Sequence, residues 1–90
     1  MLRPIKSIYY SSRFLSSLKK LPVNLAKEAQ KRELIFRADC FDPKLRTHKL
    51  KGKLQAHWSF SITQKYRILF RFITNNAVLF IDVGDHTIYD

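Results

Sequence analysis

The stretch that decides the fold is His57–Asp90: HWSFSI (57–62), TQK (63–65), YRILFRFI (66–73), TNN (74–76), AVLFIDVG (77–84) and DHTIYD (85–90). Three runs alternate apolar and polar residues with period two, and turn residues stand at each break. The stretch therefore reads as two tight hairpins followed by a polar tail. Trp58, Phe60 and Ile62 share one face of the first strand, and Tyr66, Ile68, Phe70 and Phe72 one face of the second. Leu79, Ile81 and Val83 are expected on the same side of the third, opposite Val78, Phe80 and Asp82. A three-residue loop pairs Ile62 with Tyr66, Ser61 with Arg67, Ser59 with Leu69 and His57 with Arg71. A two-residue turn at Asn75-Asn76, where asparagine tolerates positive φ, pairs Phe72 with Leu79, Arg71 with Phe80, Leu69 with Asp82 and Arg67 with Gly84. Opposite residues share a face, so Arg67 falls between Ser61 and Gly84, small neighbours that leave its guanidinium uncovered. His86 follows two residues past Gly84. On a chain of net charge +10, an uncrowded arginine beside a histidine points to a site for a phosphate ester.

Upstream, Pro4–Tyr10 ends in Ile8-Tyr9-Tyr10 and reads as a first strand. Ser11 or Ser12 can cap a helix in which Phe14, Leu15, Leu18 and Leu21 recur at helical spacing. Lys19 and Lys20 suit the dipole of its last turn. Pro22 stops it and can serve as the first residue of the next helix, Val23 to about Ala38. Leu25, Ala26, Ala29, Leu34 and Phe36 are that helix's expected inward residues, and Lys27, Lys31 and Arg32 its exposed basic side. Asp39–Lys53 is irregular and polar, with a turn signal at Asp42-Pro43 and room for a short strand at Thr47–Leu50. Gly52 is one of only two glycines and is expected where other residues resist the backbone conformation.

Ninety residues, 46% of them hydrophobic, make one small domain spanning residues 1–90 with a single core. Seventeen Lys and Arg against seven Asp and Glu attract polyanions: nucleic acid, an anionic membrane surface or an acidic protein. Cys40 is the sole cysteine, which excludes an internal disulfide and a cysteine-based zinc site and fits a reducing compartment. It reads as a small packing residue. The opening MLRPIKSIYYSS has no apolar run of signal-peptide length, and YRILFRFI is too short and too charged to span a bilayer. A cytoplasmic protein without a membrane association is expected.

No Gly-rich phosphate loop, HExxH or Gly-x-Ser-x-Gly motif is present, and the three histidines are not spaced as metal pairs. No metal and no cofactor is expected. Cleaving RNA with side chains alone needs a group to take the 2′-OH proton, one to stabilise the charged phosphate, one to protonate the leaving 5′ oxygen, and in-line positioning. Histidine can do either proton transfer near neutral pH, and arginine grips phosphate oxygens bidentately. His48, Arg67 and His86 are chemically sufficient if they converge; the strand pairing brings together only Arg67 and His86. Each has a plainer reading. Arg67 can pair with Asp82 or Asp85, His86 can be a solvated tail residue, and His48 a surface histidine. His57 reads as a sheet-surface residue. Tyr89 can stack on a base or pack the tail onto the sheet. Lys49, Lys51 and Lys53 form a charge run that can be solvated or can follow a phosphate backbone, and Arg71 shares the face of Arg67.

The segments FLSSLKKLP, DPKLRTHKLKGKL, HWSFSITQKYRILFRF and IDVGDHTIYD, in this order, resemble the RelE/ParE superfamily of toxins from type II toxin–antitoxin modules, and most of all its RelE and YafQ-like branch. HKLKG, YRI and the Gly-x-His-x-x-Tyr ending carry the resemblance as a set. It implies an α+β, RelE-like domain with two N-terminal helices packed on a twisted, mainly antiparallel sheet of about four strands, in the order β-α-α-β-β-β. It implies ribosome-dependent, metal-independent endonucleolysis of mRNA in the A site, and a cognate acidic antitoxin. By the same resemblance His48 can act as base, Arg67 stabilises the phosphate, His86 is the acid and Tyr89 contacts a base; Lys49, Lys51, Lys53 and Arg71 are the other expected substrate-binding residues. Ser59, Ser61 and Lys65 stand where acidic or histidine residues often occur, and Asp85 where threonine or serine is usual. The alternatives are a ParE-like toxin acting on gyrase and a basic RNA- or ribosome-binding protein without catalysis.

Overall fold

The computed structural model describes residues 2–52 and 56–89. The chain runs β1 (Ser7–Tyr10), α1 (Ser12–Lys20), α2 (Val23–Ala38), a 3₁₀ turn (Pro43–Leu45), β2 (His48–Lys49), β3 (Trp58–Ser61), β4 (Arg67–Thr74), β5 (Ala77–Gly84) and a terminal 3₁₀ turn (His86–Tyr89). The strands form one sheet in the order β1-β5-β4-β3-β2. β1 lies parallel to β5, and all other pairs are antiparallel. The sheet thus has five strands rather than about four, the fifth being the two-residue β2 within the anticipated Thr47–Leu50 segment. No helix among the described residues is long and apolar enough to cross a membrane.

Local chemistry explains the helix ends. The Ser11 side chain accepts from the Phe14 N–H at 3.0 Å, supplying a partner for an orphan donor of α1. Pro22 stands as the N-cap of α2 rather than its first residue, and its carbonyl accepts from Leu25 and Ala26. Ala29 and Phe36, seven residues apart, fall on one stripe of α2 and are both buried. Leu34 lies off that stripe and is 69% exposed, and Leu15 on α1 is also exposed. Both therefore depart from the inward positions expected. Ile35 packs against the core in their stead.

The core lies between the helices and one sheet face. Phe36 stacks on Phe60 at 4.6 Å between centroids and meets Phe70 and Phe80 edge-on at 5.0 and 5.5 Å. Phe60, Ile62, Ile68 and Phe70 occupy this face as the alternation requires. β5 does not follow it throughout. Val78, Phe80 and Val83 point into the core, because the ladder shifts between Leu69↔Asp82 and Phe70↔Phe80 and leaves Ile81 without a partner. One extra residue exchanges the faces of everything on one side of it, which corrects the expected inward Leu79 and Ile81. The bulge is held from outside the hairpin: Ser11 N–H donates to the Phe80 carbonyl at 3.0 Å, and Ser11 Oγ to that of Ile81 at 2.7 Å. A second shift lies between Phe72↔Val78 and Thr74↔Ala77. It replaces the expected pairs Phe72–Leu79 and Arg71–Phe80 by Phe72–Val78 and Arg71–Leu79. The turn at Asn75-Asn76 forms, but neither asparagine has positive φ, so the irregularity at Ile73 absorbs the mismatch between turn and strand twist. Gly52 does take positive φ, 73°.

Candidate functional site

The sheet face away from the helices carries the site. Two rows cross it: His48–Ser59–Leu69–Asp82, and Ser61–Arg67–Gly84. The bulge at Ile81 lies where it leaves Ser59–Leu69–Asp82 and Ser61–Arg67–Gly84 in the register expected from sequence, to which β2 adds His48. Over them folds the terminal 3₁₀ turn. The hydroxyls of Ser59 and Tyr89 share a hydrogen bond at 2.7 Å, and Ile88 is buried against the sheet. Ser59, Ser61, Leu69 and Asp82 are consequently buried although they lie outside the main core.

Arg67 is half-buried. Its Nη1 donates to Ser61 Oγ, and its Nη2 to the Gln64 carbonyl at 3.2 Å. These acceptors are neutral, so they orient the guanidinium without cancelling its charge. Neither acid that sequence offered as a partner pairs with it. Asp82 binds Arg13 Nε at 2.9 Å and accepts from the Val83 N–H. Asp85 accepts from the Thr87 hydroxyl and N–H at 2.7 and 3.0 Å, bonds that hold its carboxyl below the usual carboxylate range. Among the described residues Arg67 makes no ion pair.

His48 is exposed at the sheet edge, on the same face. Its Nδ1 lies 2.9 Å from the Arg46 carbonyl. A carbonyl only accepts, so Nδ1 carries the proton of the neutral ring and the Nε2 lone pair remains for a substrate proton. Two strand spacings of ~4.8 Å and two residues of ~3.3 Å separate the Cα positions of His48 and Arg67 by about 12 Å. The Arg67 head is turned toward the β3–β4 turn by its bonds to Ser61 and Gln64, and His48 stands across Ser59 from it. His86 opens the terminal turn, is exposed, and follows two residues behind Gly84, the partner of Arg67. The ring is held by no hydrogen bond among the described residues.

The remaining residues anticipated from sequence separate into groups. Tyr89 packs the tail on the sheet through Ser59. Arg71 is exposed on the site face, about 13 Å further along β4 than Arg67. Lys49 pairs with Trp58, so it projects to the side opposite His48. Lys51 is exposed beside β2. Lys53 lies outside the described residues. The contributions of Ser61, Gln64, Arg46 and Ser59 as holders of Arg67, His48 and Tyr89 went unread in the sequence; only the Ser61–Arg67 and Ser59–Leu69 pairings hinted at two of them.

Cys40 is fully buried and free. Burial pushes its thiol up, which disfavours the reactive thiolate. It is the packing residue that its isolation in the sequence suggested.

No family model and no curated protein matches the chain. Solved structures do. A YoeB/ParE toxin from Agrobacterium tumefaciens superposes with a TM-score of 0.75 at 14% identity, over 90% of this chain and 99% of that one. A chain of the toxin–antitoxin complex RelBE2 from Mycobacterium tuberculosis gives 0.74 at 16% identity, over 92% and 93%. YafQ from E. coli gives 0.69 at 16%, over 93% and 97%. The chain thus has the fold of the RelE/ParE superfamily toxins over nine-tenths of its length, with YafQ among its structural neighbours.

Proposed function

We propose that this chain is the toxin of a type II toxin–antitoxin module and acts as a ribosome-dependent mRNA endonuclease. The observation that carries the reading is Arg67: a cation without a carboxylate partner among the described residues, oriented by two neutral acceptors, on the same sheet face as a histidine with an outward-facing lone pair. A charge so placed stabilises the extra negative charge of a pentacoordinate phosphate, because its donors are fixed before the reaction begins. His48 Nε2 takes the proton of the 2′-OH, and the 2′ oxygen bonds to phosphorus. The bond from phosphorus to the 5′ oxygen breaks, and protonated His86 returns a proton to that oxygen. The products are a 2′,3′-cyclic phosphate and a 5′-OH, with atoms and charges balanced and no further group required. The fold shared with toxins from toxin–antitoxin complexes supports the toxin role and an antitoxin as partner, and the net charge of +10 suits an acidic one. A site on the ribosome places the protein in the cytoplasm.

Pulse labelling after induction tests this. Protein synthesis is expected to stop first, with cleaved mRNA inside the reading frame and normal DNA synthesis. DNA synthesis stopping first, with gyrase-linked breaks, would instead identify a ParE-like action. Labelling unchanged in both would reject a toxin of either kind.

A further inference from the structure

Beside Arg67 lies a cleft of about 280 Å³ lined by Arg32, Lys44, Arg46, Ser61, Thr63 and Gln64. β2 pairs only with Trp58 and Ser59, so Ser61 at the cleft lies beyond it along β3. The lining of the cleft holds three cations and no acid. Arg32 reaches it from α2, with its Nε bonded to Glu28 at 3.0 Å and its Nη1 donating to the Lys44 carbonyl at 2.7 Å. Arg32 therefore leaves the solvated basic side of α2 on which the sequence placed it. The Glu28 carboxylate offsets the charge of Arg32, whereas Lys44 and Arg46 make no ion pair among the described residues.

Arg46 caps the Pro43–Leu45 turn in the left-handed region, at φ 53° and ψ 40°. It is the only described non-glycine residue with positive φ. Local stability would favour glycine or asparagine at such a position. Arg46 nevertheless stands there, one of the residues lining the cleft, and its carbonyl holds His48. The opposite wall is equally shared: Ser61 and Gln64 are the two residues that bind the Arg67 guanidinium. The cleft is contiguous with the proposed reaction centre through both walls.

We propose that this cleft is a second phosphate subsite, which takes the phosphodiester next to the one gripped by Arg67 and so fixes the RNA strand for in-line attack. The assignment rests on the endonuclease reading above. Lys44 and Arg46 supply the unneutralised charge and Arg32 a fixed guanidinium edge, and Ser61 and Thr63 belong to the same lining. An apolar peptide side chain would find no apolar wall here.

The test is the salt dependence of binding to a single-stranded RNA oligonucleotide, 2′-O-methylated throughout so that it cannot be cleaved. Each phosphate contact on a single strand contributes about −0.7 to the slope of log K against log salt. Lys44→Gln combined with Arg46→Asn removes both free charges, and asparagine tolerates the left-handed backbone. The slope should become shallower by about 0.7, so that the affinity change over a tenfold salt range shrinks roughly fivefold. Lys6→Gln with Lys19→Gln, an equal charge loss at exposed positions elsewhere, should leave the slope in place. Lys44→Gln alone should give a smaller change in the same direction and serves if the double variant melts early. Equal slopes for the cleft and control variants, on a steep parental slope, overturn the subsite and leave the endonuclease reading standing. A flat parental slope overturns both. Unchanged RNA binding together with weaker binding of a poly-glutamate peptide assigns the cleft to an acidic protein instead.

Discussion

Replacing Gly84 by alanine probes how the terminal turn holds the site. A Cβ on Gly84 would stand 2.7 Å from Cγ2 of Ile88. Carbon atoms pack at about 3.5–4.0 Å, so the two must separate by roughly 1 Å. Cγ2 sits directly on the branched Cβ of Ile88, and a β-branched side chain has little χ1 freedom with which to swing it away. The His86–Tyr89 turn must move as a piece. Overpacking of this kind costs about 1–3 kcal/mol. Complete detachment would forfeit Ile88 burial, about 1.5–3 kcal/mol, and the Ser59–Tyr89 hydrogen bond, a further 0.5–1.5 or so. The strained, attached turn is therefore the cheaper outcome by a small margin, and the turn should be displaced yet partly docked. At ~4–8 °C per kcal/mol for a domain of this size, the melting midpoint should fall by roughly 5–20 °C. The Ile88 amide, which donates to the Asp85 carbonyl at 3.2 Å, should lose protection against hydrogen exchange. Cleavage should fall with it, because His86 begins the same turn. In a double-mutant cycle, Ile88→Ala should cost less in the Gly84→Ala background than in the parent, since it removes the clashing carbon. A parental melt with parental exchange at Ile88, or two strictly additive costs, would refute the close approach.

Four further outcomes are expected. Arg67→Ala should slow single-turnover cleavage on programmed ribosomes by about 10²–10³ and leave the melt nearly unchanged, since its partners are Ser61 and a carbonyl at the β3–β4 turn; unfolding would make it a structural residue. Arg13→Ala should destabilise more than Asp82→Asn by chemical denaturation, up to about 3 kcal/mol against about 1, because the first leaves a buried carboxylate unpaired and the second frees only an exposed guanidinium; the reverse order would refute this account of the pair. The Thr87 cap lowers the Asp85 pKa in the folded chain, so its contribution is present above the unfolded value of 3.8 and is lost as pH falls through the lower folded value; an NMR titration of the Thr87 amide with a midpoint at or above 3.8 would contradict it. Cys40 should resist alkylation in the folded protein and react on unfolding, and rapid labelling of the native chain would show that its burial is not maintained.

Much of this architecture is legible in residues 57–90 alone. Period-two alternation and turn residues act over a few positions, so they assign strands, the faces of β3 and β4 and the Ser61–Arg67–Gly84 row without tertiary information. Ser11 as a cap and the span of α2 are local in the same sense. What sequence could not supply arises from residues far apart in the chain. Ser11 stabilises a bulge at Ile81, 70 positions away, and that one residue reverses the faces of half a strand. Arg13 takes Asp82 across 69 positions and thereby leaves Arg67 free of the acid its own neighbourhood offered. Gly84 is small where Arg67 needs room, but the space it leaves receives Ile88 from the tail. The cleft joins α2, the 3₁₀ turn and the β3–β4 turn, three segments with no common pattern. Periodicity fixes which side of a strand a residue faces. Which charges meet, and which stay free for a substrate, depends on distances that only the packed chain defines.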